Sequence, residues 1–97
     1  MINLTLKINP DLFDQSKLPM KPTRDGFGSG LIEAGTADAN VIALTADLSE
    51  STRVEGFQKQ FPDRFIEVGV AEQNLATVAS GLANYGKIPF ITSYASF

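Results

Sequence analysis

Three short apolar runs alternate with stretches of helical period, and that alternation constrains the fold more than any other feature of the chain. The runs are Val41-Ile42-Ala43-Leu44-Thr45, Phe65-Ile66-Glu67-Val68 and Ile88 to Ser93. Short runs with little polar alternation are what strands covered on both faces look like. Between and before them lie three helical patterns. Thr23, after Pro22, is expected to cap a helix reaching about Asp38, with Phe27, Leu31, Ile32 and Ala34 at helical spacing. Val54, Phe57 and Phe61 share one face of a second helix that Pro62 stops. A third runs from about Ala71 to Tyr85, with Leu75, Val78, Ala79 and Leu82 on one face and Gly86 at its end. Strands that alternate with helices imply an α/β fold, with a parallel sheet in the middle of three layers and right-handed crossovers.

Other segments refine that outline. Gly26, Gly28 and Gly30 each weaken the first helix by up to about 1 kcal/mol, so their expected use is close approach of a backbone or a ligand. The stretch Gly26-Phe27-Gly28-Ser29-Gly30 is a poor phosphate loop, because it follows no strand and lacks the Gly-Lys-Ser/Thr ending. Residues 1–22 carry Pro10, Pro19 and Pro22 and no sustained period, and read as an arm or linker in which Met1 to Ile8 forms an edge strand. The domain proper is residues 23–97. Ala76, Ser80 and Ala83 make a face of small residues on the third helix, where another helix is expected to pack closely.

Composition excludes several function classes. The chain has 97 residues, room for one domain, and is 43% hydrophobic, enough for a core. It contains no cysteine and no histidine, so disulfides, thiolate or zinc centres and histidine-based triads cannot be built within it. Net charge is −3 and the eight Lys and Arg residues are spread singly, which leaves no basic stripe for nucleic acid or anionic lipid. No apolar run is long enough for a membrane span, and the N-terminus lacks the pattern of a signal peptide. A soluble, cytoplasmic protein is expected. Three strands cover themselves poorly, and the chain stops where a further helix ought to begin. A fragment, or an obligate partner of other material, is therefore expected, and one prone to associate.

The chemistry should lie at the carboxyl ends of the strands, where open parallel sheets collect ligands. Beyond the first strand come Asp47, Ser49 and Ser51; beyond the second, Glu72; beyond the third, Tyr94 and Phe97. Glu72 stands where a strand passes through Gly69 into the start of a helix. It either acts on a ligand or simply complements the helix dipole. Asp47 and the serines serve equally well as helix caps, and the two aromatics serve equally well as core. Together they describe a crevice for a flat, nitrogen-bearing ring.

The segments Thr23-Arg24-Asp25-Gly26-Phe27-Gly28, Thr45-Ala46-Asp47-Leu48-Ser49-Glu50-Ser51, Phe61 to Asn74 and Ser80-Gly81-Leu82-Ala83 closely resemble the pyrimidine-binding domain of transketolase. The likeness is nearest to the split form, whose C-terminal half is a separate subunit, and covers about residues 23 to 97. The resemblance implies a partial pyrimidine-binding domain that uses thiamine diphosphate and magnesium, with the metal and the diphosphate held by the N-terminal partner half. It implies that Glu72 is the catalytic residue, its carboxylate hydrogen-bonding N1′ of the aminopyrimidine and favouring the imino tautomer. Tyr94 and Phe97 would pack on that ring, and Asp47 would lie near the cofactor at a subunit interface. Arg24 and Ser51 would hold a sugar phosphate. The implied reaction moves a two-carbon ketol unit from a ketose phosphate to an aldose phosphate, in a homo-oligomer, and the resemblance implies that these 97 residues are inactive without the partner half and further C-terminal residues. Asn74 stands where many members carry histidine, which favours the split transketolases over deoxyxylulose-phosphate synthase. That synthase and the beta subunit of a 2-oxoacid dehydrogenase remain alternatives within the superfamily. A non-catalytic interaction module is the alternative outside it.

Overall fold

The computed structural model of the chain describes residues 3–97, and its helices and strands form a three-layer α/β domain. The elements are α1 (Thr23–Ala37), β1 (Val41–Thr45), α2 (Glu55–Gln60), a 3-10 turn (Pro62–Arg64), β2 (Phe65–Glu67), α3 (Glu72–Asn84) and β3 (Ile88–Thr92). All strand pairs are parallel and their order is β2-β1-β3. Ala43 pairs with Phe65 and Thr45 with Glu67 on one side, while Val41 pairs with Ile88 and Thr45 with Thr92 on the other.

Every residue of β1 is buried, as its unbroken apolar run requires of a strand covered on both faces. Its side chains divide by the period of two. Val41 and Ala43 pack with Leu31, Val54 and Phe57 beneath α1 and α2. Ile42, Leu44 and Ala46 pack with Leu75 and Ala79 beneath α3. The chain leaves β1 over one face to reach β2, then crosses the opposite face through α3 to reach β3. Reversing both direction and face keeps the two crossovers of one hand.

The start of α1 differs from expectation. Pro22, in extended conformation, is the N-cap, and Thr23 is the first helical residue, with no side-chain cap bond. The Pro22 carbonyl instead accepts from Asp25 N–H at 3.1 Å. At its other end α1 has no basic residue of its own in the last turn. Arg64 supplies the missing cation from the 3-10 turn, donating to the carbonyls of Gly35 (2.9 Å) and Asp38 (3.0 Å). Its guanidinium also lies 4.0 Å from the centre of the Phe61 ring. One side chain thus satisfies helix-end carbonyls, complements the dipole and stacks on an aromatic face.

Close approach, anticipated for three glycines of α1, occurs at one of them. A Cβ on Gly28 would stand 2.7 Å from the Arg53 carbonyl oxygen, whereas Gly26 and Gly30 have nothing within 4 Å. The other close contact is at Gly35, where a Cβ would come within 2.5 Å of the Phe57 ring. Phe27, expected in the core, is partly exposed and lines a surface hollow instead.

No strand forms among residues 3–22, and Met1 and Ile2 of the expected edge strand lie outside the described residues. Local polar groups compete for that backbone. Asn3 Oδ1 accepts from Thr5 N–H at 3.0 Å and Asn9 Oδ1 from Asp11 N–H at 2.9 Å, turns that an extended strand cannot contain. Asp14 closes another with Ser16 Oγ at 2.6 Å; that bond, with Lys17 beside it, holds the Asp14 carboxyl below its ordinary value.

Two alanine substitutions in α1 should have opposite signs. Gly35→Ala forces a methyl group into a packed ring and should lose about 1–3 kcal/mol. Gly30→Ala adds helix propensity in open space and should gain up to about 1 kcal/mol. Urea unfolding of the two variants against wild type reads both.

Candidate functional site at the carboxyl edge of the sheet

Two loops and the chain end beyond β3 meet the carboxyl edge of the sheet. The loop after β1 leaves through Asp47 (φ 60°) and returns through Arg53 (φ 65°), both in the left-handed region that costs an L-residue about 1–2 kcal/mol. Arg53 is held there by an ion pair with Asp25 at 2.9 Å and by the absence of a side chain on Gly28. The loop after β2 turns at Gly69 (φ 71°) and enters α3, whose first residue is Glu72.

Two open hollows lie among these segments. One, of about 390 Å³, is lined by Arg24, Phe27, Ser51, Thr52, Ser93 and Tyr94, among others. Arg24 Nη1 donates to the Ser51 carbonyl at 3.3 Å, so the guanidinium and that loop are direct neighbours. The second, of about 560 Å³, is lined by Ala71, Glu72, Gln73, Asn74 and Phe97. Glu72 is half-buried there. Tyr94 of the first hollow and Phe97 of the second pair their rings at 5.9 Å between centres and 31° between planes. Neither ring is core: Tyr94 is 43% and Phe97 69% exposed. An exposed aromatic pair with a half-buried carboxyl group beside Phe97 offers a stacking face and a proton-sharing partner to a flat ring that carries a nitrogen.

The structure therefore brings Arg24, Ser51 and Tyr94 together in one hollow and Glu72 and Phe97 in the other, with the ring pair between. Asp47 lines neither. It is exposed, and its N–H donates to Glu67 Oε1 at 2.8 Å. Ser49 is used structurally, its carbonyl accepting from Val54 N–H at 2.8 Å.

Several residues that shape the edge escaped the sequence reading. Thr52 is buried beneath the first hollow, donating to the Leu48 carbonyl at 2.7 Å with its hydroxyl 3.2 Å from that of Thr92. Glu67 spans the loops after β1 and β2. A carboxylate inside an otherwise apolar strand run was the available signal for it.

A profile described as transketolase, pyrimidine binding domain, matches residues 20–97. The chain belongs to that family. It is 49% identical over 77 residues to a Methanocaldococcus jannaschii protein provisionally named transketolase C-terminal section; the match covers 79% of this chain and 24% of the relative. It is 46% identical over 74 residues to 6-deoxy-6-sulfo-D-fructose transketolase subunit SqwH of a Clostridium species, covering 76% of this chain and 23% of the relative. A 1-deoxy-D-xylulose-5-phosphate synthase of Halothermothrix orenii is 39% identical over 71 residues, covering 73% of this chain and 11% of that enzyme. Among solved structures, a split-gene transketolase described as an inactive beta4 tetramer superposes with a TM-score of 0.69 at 48% identity. That superposition covers 77% of this chain and 25% of the neighbour. The chain thus spans a quarter or less of the length of these relatives. Among the described residues no helix is long and apolar enough to cross a membrane.

Thr52→Val keeps the side-chain volume but removes the hydroxyl that serves Leu48 and Thr92. It should cost about 1–2 kcal/mol, and thermal unfolding of the variant beside wild type measures the loss.

Proposed function

We propose that this chain supplies the aminopyrimidine-binding wall of a thiamine-diphosphate-dependent transketolase, one that moves a two-carbon ketol unit from a ketose phosphate to an aldose phosphate. The observation that carries the reading is the pairing of Glu72 with Phe97 in one hollow, joined through the Tyr94 ring to the hollow of Arg24 and Ser51. A cofactor wall and a cationic phosphate holder then share one continuous surface. When bound, thiamine diphosphate supplies the nucleophilic carbon that a sugar lacks.

The chain's own residues would take the following parts. The Glu72 carboxylate holds a proton at the ring nitrogen N1′ of the aminopyrimidine, a general acid–base role that needs a site closed to water. Phe97 and Tyr94 lie against the ring face. Arg24 offers a planar pair of donors to the substrate phosphate, and Ser51 flanks it. Asp47, which lines neither hollow, would approach the cofactor from the β1 loop only at a boundary with another subunit.

The second wall comes from elsewhere on this reading. Both hollows are open, and Val70, between Gly69 and the start of α3, is 78% exposed. A diphosphate-binding half, carrying magnesium, would close them in the cytoplasm. The face of α3 with Ala76, Ser80 and Ala83 is exposed and free for a second copy. The deoxyxylulose-phosphate synthase among the relatives keeps a second enzyme reading open, and the products formed separate the two.

Extended to the length of its relatives and mixed with the diphosphate-binding half, thiamine diphosphate and magnesium, the chain should turn over a ketose phosphate. Glu72→Gln should lower the rate at saturating cofactor by roughly 10²- to 10⁴-fold, the scale of a lost proton-transfer group. Equal rates for variant and wild type would exclude Glu72 from the chemistry, and a wild-type pair that takes up no cofactor would exclude the reading as a whole.

A further inference from the structure

Glu67 does something unusual for an exposed strand-end acid. One oxygen, Oε1, accepts two backbone N–H groups at 2.8 Å, those of Asp47 and Gly69. These donors lie on different loops, twenty-two residues apart in sequence, and both are left-handed, at φ 60° and 71°. The location matters as much as the bonds. The connection leaving β1 passes over one face of the sheet and that leaving β2 over the other, so the gap between their carboxyl ends is the switch point at which an open sheet binds its ligands. Glu67 bridges that gap.

We propose that Glu67 is a positioning residue for the cofactor site, one that sets where Asp47 and Glu72 stand relative to each other. The inference rests on the thiamine-diphosphate reading above. A line of hydrogen bonds carries the effect to Glu72. Glu67 Oε1 accepts from Gly69 N–H, the Gly69 carbonyl accepts from Ala71 N–H at 2.8 Å, and the Ala71 carbonyl accepts from Leu75 N–H at 2.9 Å. The last bond closes the first turn of α3, which contains Glu72. On the other side the clamp holds Asp47 in a conformation an aspartate seldom keeps unaided. Below it the sheet is already fixed, since Val68 N–H donates to the Thr45 carbonyl at 3.1 Å. Glu67 therefore governs the loops beyond the ladder and leaves the ladder itself intact.

The test compares wild type, Glu67→Ala and Glu67→Gln. The amide of glutamine still offers an oxygen to both N–H groups, so this variant separates loss of the acceptor from loss of the charge. Amide hydrogen exchange in the labelled chain reads Asp47 and Gly69 directly, and thiamine diphosphate affinity is measured with the diphosphate-binding half present. In Glu67→Ala, exchange at both amides should quicken, and cofactor affinity should fall, each by about tenfold or more, as expected when bonds to a charged acceptor are lost. Added formate, able to sit between the same two N–H groups, should restore part of both. Glu67→Gln should stay within about threefold of wild type on each measure. Unchanged exchange in Glu67→Ala, or faster exchange with unchanged cofactor affinity, overturns the proposal. A wild-type pair that binds no thiamine diphosphate overturns the cofactor reading and the positioning role together. A defect confined to the variants concerns Glu67 alone.

Discussion

Burial of β1 on both faces is the constraint from which the rest of the domain follows. A strand with no solvent face must be paired on both edges and covered above and below. In 97 residues this is achieved with β2 and β3 at its sides, α1 and α2 on one face and α3 on the other. Leu44 and Phe57, fully buried on opposite faces, anchor the two halves of the core. Because parallel strands all end at the same edge, the same arrangement delivers the loops after β1 and β2 and the end of β3 to one place. The site is a by-product of the way the core is covered.

That edge is held by a few side-chain contacts. Arg53 pins the β1 loop to α1 through Asp25, and Glu67 joins the β1 and β2 loops through two backbone N–H groups, while Arg64 closes the far end of α1 at the opposite edge of the sheet. Two non-glycine residues, Asp47 and Arg53, sit in left-handed conformations within one loop. Such conformations persist only where the surroundings over-determine them, and they cluster at sites of function. Here each is secured by a contact identified above. The loop so held carries Ser51, which lines the same hollow as Arg24.

Much of the framework was legible in the sequence because it depends on periodicity. β1 matched its apolar run residue for residue, and α3 followed its stripe of Leu75, Val78, Ala79 and Leu82, ending at Gly86 with φ 83°. The family likeness of residues 23 to 97 agreed with the profile matched over residues 20–97. What escaped was set by contacts between distant segments. Thr23 looks like a cap until Pro22 takes the position, and Met1 to Ile8 alternates like a strand, although Asn3 folds the start of its described part into a turn. Gly35 and Gly30 are indistinguishable in sequence, and only the Phe57 and Phe61 rings against Gly35 separate them. Asp47, Ser51, Glu72, Tyr94 and Phe97 were legible as types placed at a sheet edge, and Arg24 only through the family resemblance. Their division into two hollows, with Asp47 in neither, depends on loop paths that no local rule fixes.

The ring pair has a consequence for how the two hollows would work together. Tyr94 and Phe97 follow β3 directly, without an intervening helix, and Phe97 N–H donates to the Tyr94 carbonyl at 3.1 Å. The turn between them is therefore short, and the rings meet across it at 5.9 Å. Rings in offset or tilted contact gain about 0.5–1.5 kcal/mol beyond burial, enough to bias rotamers but not to hold them against a bound ligand. A flat ring settling on Phe97 would order Phe97 first and Tyr94 through it, and Tyr94 is a wall of the hollow that contains Arg24 and Ser51. On the proposed reading, cofactor binding would thus help shape the place where the sugar phosphate is held, by ordering side chains within a single turn and without moving the sheet.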